Sequence, residues 1–348
     1  MGWWIESPHP PPLSLPPGWL PAQRNNGWTF TDRLPPAAAG MGVVAFYASR
    51  YAHSAVAVWE RRLAAGEISR NGETLRAEAV LAGGDRLLWR RPPWQEPGVP
   101  ARWDVIHDDG DLLVIDKPSG LPVLPAGGFL EHTVLRLLER RHGGDPAGLP
   151  RPVHRLGRFT SGLLVCARRP ATRAWLSAQL RESTGSLASG GPGGAKSCRK
   201  LYRALLVPGQ LALATGDSLA ITTPIGRRPH PPLGEIWCAA EAGDPASLPA
   251  RSRLTLLESG SEADLVEVAI VTGRPHQIRI HCAAVGAPLR GDPLYLPGGL
   301  ARPGGLPGEG GYRLQARWLL LQQLEGSVLE LQAPPANGLA RAAEPQPG

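Results

Sequence analysis

Two short segments concentrate groups able to bind a charged substrate or move a proton. One is His154-Arg155-Leu156-Gly157; the other is Thr272-Gly273-Arg274-Pro275-His276-Gln277-Ile278-Arg279-Ile280-His281. His154 and Arg155 suit either local backbone contacts or a bound phosphate, and the residue types alone leave both open. Tyr202, in Lys200-Leu201-Tyr202-Arg203-Ala204, reads as a core tyrosine or as a functional one. Asp116-Lys117-Pro118 reads as a strand end and turn, and Thr160-Ser161-Gly162 as a tight turn. Metal chemistry is not expected. His276 and His281 are five apart and lack the HExxH pattern, and the four cysteines are scattered without a CxxC pair.

The charge distribution points to a polyanionic partner. The chain has 348 residues, 37 Lys plus Arg, 30 Asp plus Glu, and a formal net charge of +7. Between Arg151 and Arg203 there are 11 cations and one anion, Glu182, so that stretch carries +10 and the rest sums to −3. A solvated face ordinarily mixes signs, and this one-sidedness fits nucleic acid. No run of about 18 uncharged apolar residues is present, which excludes a membrane-spanning helix. Scattered cysteines and the lack of a basic, apolar leader in Met1-Gly2-Trp3-Trp4-Ile5-Glu6 suit the cytoplasm.

Pattern and composition divide the chain into an irregular extension (1–42), a small module (43–90), a linker (91–104), a larger domain (105–335) and a disordered tail (336–348). The extension is Pro- and Trp-rich, and four prolines mark residues 91–102. In the module, Val44, Tyr47, Tyr51, Ala55 and Val58 recur at helical spacing, ending near Gly66; Asn71-Gly72 is a hairpin signal before a strand at Arg86–Arg90. The larger domain shows strand patterns at 105–106, 112–115, 163–166, 200–207, 253–257, 265–271 and 328–331. Helical patterns fall at 133–141 and 171–181, and a Gly/Ser/Ala-rich stretch at 182–199 reads as a flexible insertion. Many strands with few helices between them predict an α+β domain.

Four segments in order, LLVIDKPSGLPVLP (112–125), VHRLGRFTSGLLVCAR (153–168), KLYRALLVPG (200–209) and VTGRPHQIRIHCAAVGAPLRGDPLY (271–295), resemble the RluA-type RNA pseudouridine synthases. The 43–90 module resembles the small S-four RNA-binding domain that often precedes that catalytic domain. The resemblance implies a catalytic domain with a mainly antiparallel central sheet, preceded by a small α/β RNA-binding module. It also implies isomerisation of a flipped-out uridine to pseudouridine in structured ribosomal or transfer RNA, without metal or cofactor. Tyr202 matches the tyrosine that stacks on the uracil and is a candidate base, Arg279 the arginine that pairs with the catalytic aspartate, and Leu314 an apolar pocket residue. His154, Arg155, Arg158, Thr160, Arg274, His276 and Gln277 are implied RNA contacts. The family pattern is HRLDxxTSGLL; here the aspartate position is Gly157. Arg279 thus loses its implied partner, with Asp111, Asp116 and Asp292 as candidate replacements. The alternative reading is a non-catalytic RNA-binding protein or RNA chaperone that has lost the carboxylate.

Overall fold

The computed structural model describes residues 17–51, 54–182, 198–342 and 344. The N-terminal module is a four-stranded antiparallel sheet with two helices. In chain order its elements are β1 (Trp28–Arg33), α1 (Val43–Arg50), α2 (Val56–Ala64), β2 (Ile68–Arg70), β3 (Glu73–Leu75) and β4 (Arg86–Arg91). The sheet order is β1-β4-β2-β3. Asn71 (φ 51°) and Gly72 (φ 97°) make the hairpin between β2 and β3, as two positive φ values require. The periodicity from Val44 to Val58 predicts one helix, yet the structure has two, because Tyr51 (φ −124°, ψ 63°) leaves helical space. Its ring joins Tyr47, Trp59, Trp89 and Phe30 in a stacked and edge-on aromatic core.

The expected irregular extension is corrected for residues 17–42, and so is the expected linker; residues 1–16 lie outside the described set. Residues 28–33 are an integral strand of the module. Trp19–Leu20 pairs with Val99–Pro100, and Gln23–Arg24 pairs with Gln95–Glu96, so extension and linker zip together. The buried Glu96 carboxylate anchors the junction, accepting from Asn25 Nδ2 (2.6 Å) and from the backbone N–H groups of Glu131 and His132. Two-residue strands are too short to leave a period in the sequence.

The larger domain is α+β, built on a ten-stranded, mainly antiparallel sheet. Its elements are β5 (Asp104–Asp108), β6 (Leu112–Lys117), α3 (Val134–His142), β7 (Thr160–Ala167), α4 (Pro170–Glu182), β8 (Cys198–Leu206), β9 (Ser218–Ile221), β10 (Ser252–Glu258), β11 (Asp264–Ile270), α5 (Gln277–Ala284), β12 (Leu314–Gln322) and β13 (Val328–Gln332). The main path runs β9-β10-β11-β8-β12-β7-β6-β5; off it, β13 pairs with β12 and the two-residue strand Arg151–Pro152 pairs with β7, making ten. Only the β7–β12 pair on this path is parallel, with Thr160 opposite Leu314 and Gly162 opposite Ala316. Gly162 (φ 98°) lies so close to Ala316 that an added Cβ would sit 2.2 Å from the Ala316 carbonyl oxygen, so only glycine fits there. The β8–β12 register then places Tyr202 opposite Ala316 and Ala204 opposite Leu314. Thr160, Tyr202 and Leu314 therefore share one face of the sheet.

The reverse face carries Ser161, Gln315, Arg203 and Asp116. The described part of the tail, expected to be disordered, lies against it. Leu339 is buried, Ala336 N donates to Gln315 Oε1, Arg203 Nη1 donates to Leu339 O, and Arg203 forms a two-pronged ion pair with Glu344. An Ala-, Gly- and Pro-rich sequence with no apolar period gives no sign of this anchorage, which rests on one buried leucine and one acid. The expected flexible insertion ends at 198, where Cys198-Arg199 begins β8; residues 183–197 lie outside the described set.

Candidate active site

The face bearing Thr160, Tyr202 and Leu314 floors a cavity of about 510 Å³. The loop before β7 brings His154, Arg155 and Gly157 to its rim. The loop before α5 brings Arg274 and His276, and α5 itself brings Gln277 and Arg279. One cavity thus gathers every residue expected at the site except Arg158.

Arg158 turns away. Its Nε donates to Gly120 O (3.0 Å), and its guanidinium lies over the Phe129 and Phe159 rings. Its carbonyl oxygen accepts from Lys117 Nζ, which also donates to Pro118 O and Leu121 O. Lys117 is fully buried, and burial draws its pKa down to about 7. Asp116-Lys117-Pro118 is therefore structural: it ties the end of β6 to the loop that presents Gly157.

Gln277 is also committed internally. Its Oε1 accepts from Thr272 Oγ1 (2.7 Å) and Arg274 N (3.0 Å), and its Nε2 donates to Arg251 O and Ser252 Oγ. With its hydrogen bonds spent, it shapes the loop at 272–277 rather than reading RNA. His281 is a core histidine: Nε2 donates to Thr223 O and Nδ1 accepts from Ser252 Oγ. Among the described residues, no three His, Cys, Asp or Glu side chains cluster in a way that could hold a metal.

The fate of Arg279 is resolved. Its Nε and Nη2 donate to Asp292 Oδ2 (2.7 Å) and Oδ1 (2.6 Å). Its plane rests on the rings of Tyr312 (4.3 Å) and Tyr295 (5.1 Å). Burial opposes its charge, but the Asp292 carboxylate together with Tyr312 and Tyr295 more than offsets this and holds its pKa above the ordinary value. The other two candidate acids lie elsewhere. Asp111 binds Arg169 and Thr172, and Asp116 faces the reverse side of the sheet. Sequence reading passed over Tyr312 and Tyr295, although Tyr295 ends the GDPLY segment and Tyr312 opens YRLQA.

Gly157 has space for a side chain, though little. An added Cβ would stand 3.2 Å from Thr160 Oγ1 and 3.3 Å from the Tyr312 hydroxyl, and its backbone is outside the left-handed region. The cavity lining contains no Asp or Glu among the described residues. Arg155, Arg274, Arg279 and Lys200 line it, with Lys200 Nζ donating to Leu180 O and burial lowering its pKa. Burial, aided by Lys200, brings His154 to about 3, and its Nε2 accepts from Val165 N, so the ring is neutral. Burial raises the Tyr202 pKa, keeping its hydroxyl protonated. The result is a cationic pocket that can hold phosphate, stack a planar base on Tyr202 and donate hydrogen bonds, with no carboxylate among its described lining residues.

The RNA pseudouridylate synthase family matches residues 111–284. A protein of Synechocystis sp. described as an uncharacterized RNA pseudouridine synthase is 42% identical over 78% of this chain and 86% of its own. RNA pseudouridine synthase 5 of Arabidopsis thaliana is 34% identical over 94% of this chain and 97% of its own. Ribosomal large subunit pseudouridine synthase D of Pseudomonas aeruginosa is 31% identical over 66% of each chain. No described helix is long and apolar enough to cross a membrane. The family match over residues 111–284, with relatives 42% and 34% identical over 78% and 94% of the chain, makes the chain a member of the RNA pseudouridylate synthase family.

Proposed function

We propose that this chain isomerises uridine to pseudouridine in structured RNA, ribosomal or transfer, in the cytoplasm, with Gly157 in place of the catalytic carboxylate. The gathering of Tyr202, Arg279, Leu314 and Gly157 around one cationic cavity carries this reading. Tyr202 stacks on the flipped uracil and sets its hydroxyl as the candidate base, Arg279 is held rigid by Asp292, and Leu314 packs beneath. Arg155 and Arg274 hold the backbone, and His154, Thr160 and His276 face the nucleotide. The module spanning β1 to β4 acts as an S-four-like RNA-binding domain. The second reading, a non-catalytic RNA-binding protein, is favoured by the acid-free lining of the cavity.

The two separate on incubation with RNA from a strain lacking the gene, followed by mapping of pseudouridine at single-nucleotide resolution. A site made by the wild type and lost in Tyr202→Phe establishes the enzyme. Salt-sensitive binding with no new site establishes the binding protein.

A further inference from the structure

The sheet of the N-terminal module has two unlike faces. One packs Phe30, Trp89 and Ile68 into the aromatic core beneath α1 and α2. On the other, Thr29, Thr31 and Arg33 of β1 lie opposite Arg90, Leu88 and Arg86 of β4. That face continues over Ser69 and Thr74, and no position on it in the four strands is an acid. Arg33, Arg86 and Arg90 are exposed, and their side chains make no hydrogen bond or ion pair among the described residues. The acids beside these strands in sequence are committed elsewhere. Asp85 binds Arg70, Asn71 and the Ala82 N–H, and Glu67 accepts from the Trp89 indole.

This arrangement works against the fold. Arg33 and Arg86 stand directly opposite one another, and like charges at such a pair are destabilising. A phosphate shared by the two guanidinium groups reverses the sign of that interaction. Arg90 lies four residues farther along β4, about 13 Å away. The Thr31 and Thr29 hydroxyls run alongside it on β1. The track ends in a groove of about 440 Å³ that Thr29 and Arg90 line together with Asn26, Arg91 and Trp28. The Trp28 ring is 45% exposed, with the Glu139-paired Arg136 of α3 5.8 Å from its centre. A ring so placed can stack an unpaired base.

We propose, building on the pseudouridine-synthase reading, that this face is a second RNA contact outside the catalytic cavity. A single-stranded segment of the substrate runs from Arg33 and Arg86 past Arg90 and lays one base on Trp28. The arginines and threonines hold phosphate and read no sequence, so the track positions the RNA while the chemistry stays in the cavity. A duplex keeps its bases stacked and leaves Trp28 unused.

The test titrates the full-length protein with a labelled single-stranded RNA, and separately with its fully paired duplex, over a range of salt concentrations. Replacing Arg33, Arg86 and Arg90 together by Ala should lower the slope of log affinity against log salt by about 2 for the single strand. That change lowers affinity roughly 100-fold at about 0.1 M salt. Replacing the same three by Lys should keep the slope. Trp28→Ala should weaken the single strand by about 5- to 100-fold and spare the duplex, and Trp28→Phe should retain most of the binding. An unchanged slope in the alanine variant overturns the phosphate track, as does an equal loss in the lysine variant. Trp28→Ala that weakens neither RNA, or both alike, overturns the single-stranded occupant. Catalysis is judged apart: a wild type that makes no pseudouridine, yet loses slope in the alanine variant, keeps the track and discards the enzyme reading.

Discussion

Arg279 and Asp292 form a two-pronged ion pair sealed inside the protein, their side chains only 4% and 1% exposed. Asp292 Oδ1 also accepts from the backbone N–H groups of Leu294 and Tyr295, so the carboxylate fixes the loop at 292–295 as well as the guanidinium. Arg279 is therefore compensated from behind the pocket, and its charge does not depend on a carboxylate at residue 157.

Removing the acid should be costly. Asp292→Asn leaves a buried guanidinium without its counter-charge, and the expected loss is about 3–5 kcal/mol in urea unfolding. A loss below about 1 kcal/mol would mean that solvent reaches Arg279 and the pair is not sealed.

Gly157→Asp tests the space at the empty position. The new Cβ meets the Thr160 and Tyr312 hydroxyls at 3.2 and 3.3 Å, a fit that requires shifts of a few tenths of an ångström. Both hydroxyls can donate to the carboxylate, and Tyr312 also contacts Arg279. In a double-mutant cycle, Gly157→Asp should recover part of the Asp292→Asn loss, with a coupling of about 1–3 kcal/mol. Additive losses would place residue 157 out of Arg279's reach.

The site was legible where it is written in contiguous residues and obscure where the fold assembles it. KLYRA, HRLG and TGRPHQIRIH marked the cavity because each loop or strand carries its functional group within a few residues. The Arg279–Asp292 pair remained one of three possibilities because the loop between α5 and residue 292 decides it. Helix α5 itself left no signal: Gln277 through Ala283 are all buried, so it has no polar stripe to mark a helical period. β12 was missed for a similar reason. As a central strand it is covered on both faces, and Leu319-Leu320-Leu321 shows no alternation.

Asp116 should reveal itself through pH. It lies opposite Asp104 across β5 and β6, and burial, reinforced by Asp104, raises its pKa to about 6. An unfolded aspartate ionises near pH 4. Between about pH 4 and 6 the unfolded chain loses its proton while the folded chain keeps it, so stability falls as pH rises. Above about pH 6 the loss is complete. Asp116→Asn should be more stable than wild type by on the order of 1–3 kcal/mol at pH 7.5, with the difference vanishing near pH 4. A difference that does not change with pH would show that Asp116 is not buried against Asp104.

The C-terminal anchor has the opposite pH sign. Hydrogen bonding from Arg203 lowers the Glu344 pKa to about 2, below the unfolded value near 4.5. A carboxylate depressed in this way stabilises the fold above its unfolded pKa, and that contribution is lost as pH falls toward the folded one. Glu344→Gln should therefore cost about 1–3 kcal/mol at neutral pH, because Arg203 is buried and keeps only its bond to the Leu339 carbonyl. Urea unfolding at successively lower pH should show this cost shrinking between about pH 4.5 and 2. Hydrogen exchange at Leu339, whose N–H donates to Ala336 O, should accelerate in the variant at neutral pH if Glu344 clamps the tail. Unchanged exchange would assign the anchorage to the buried Leu339 side chain alone.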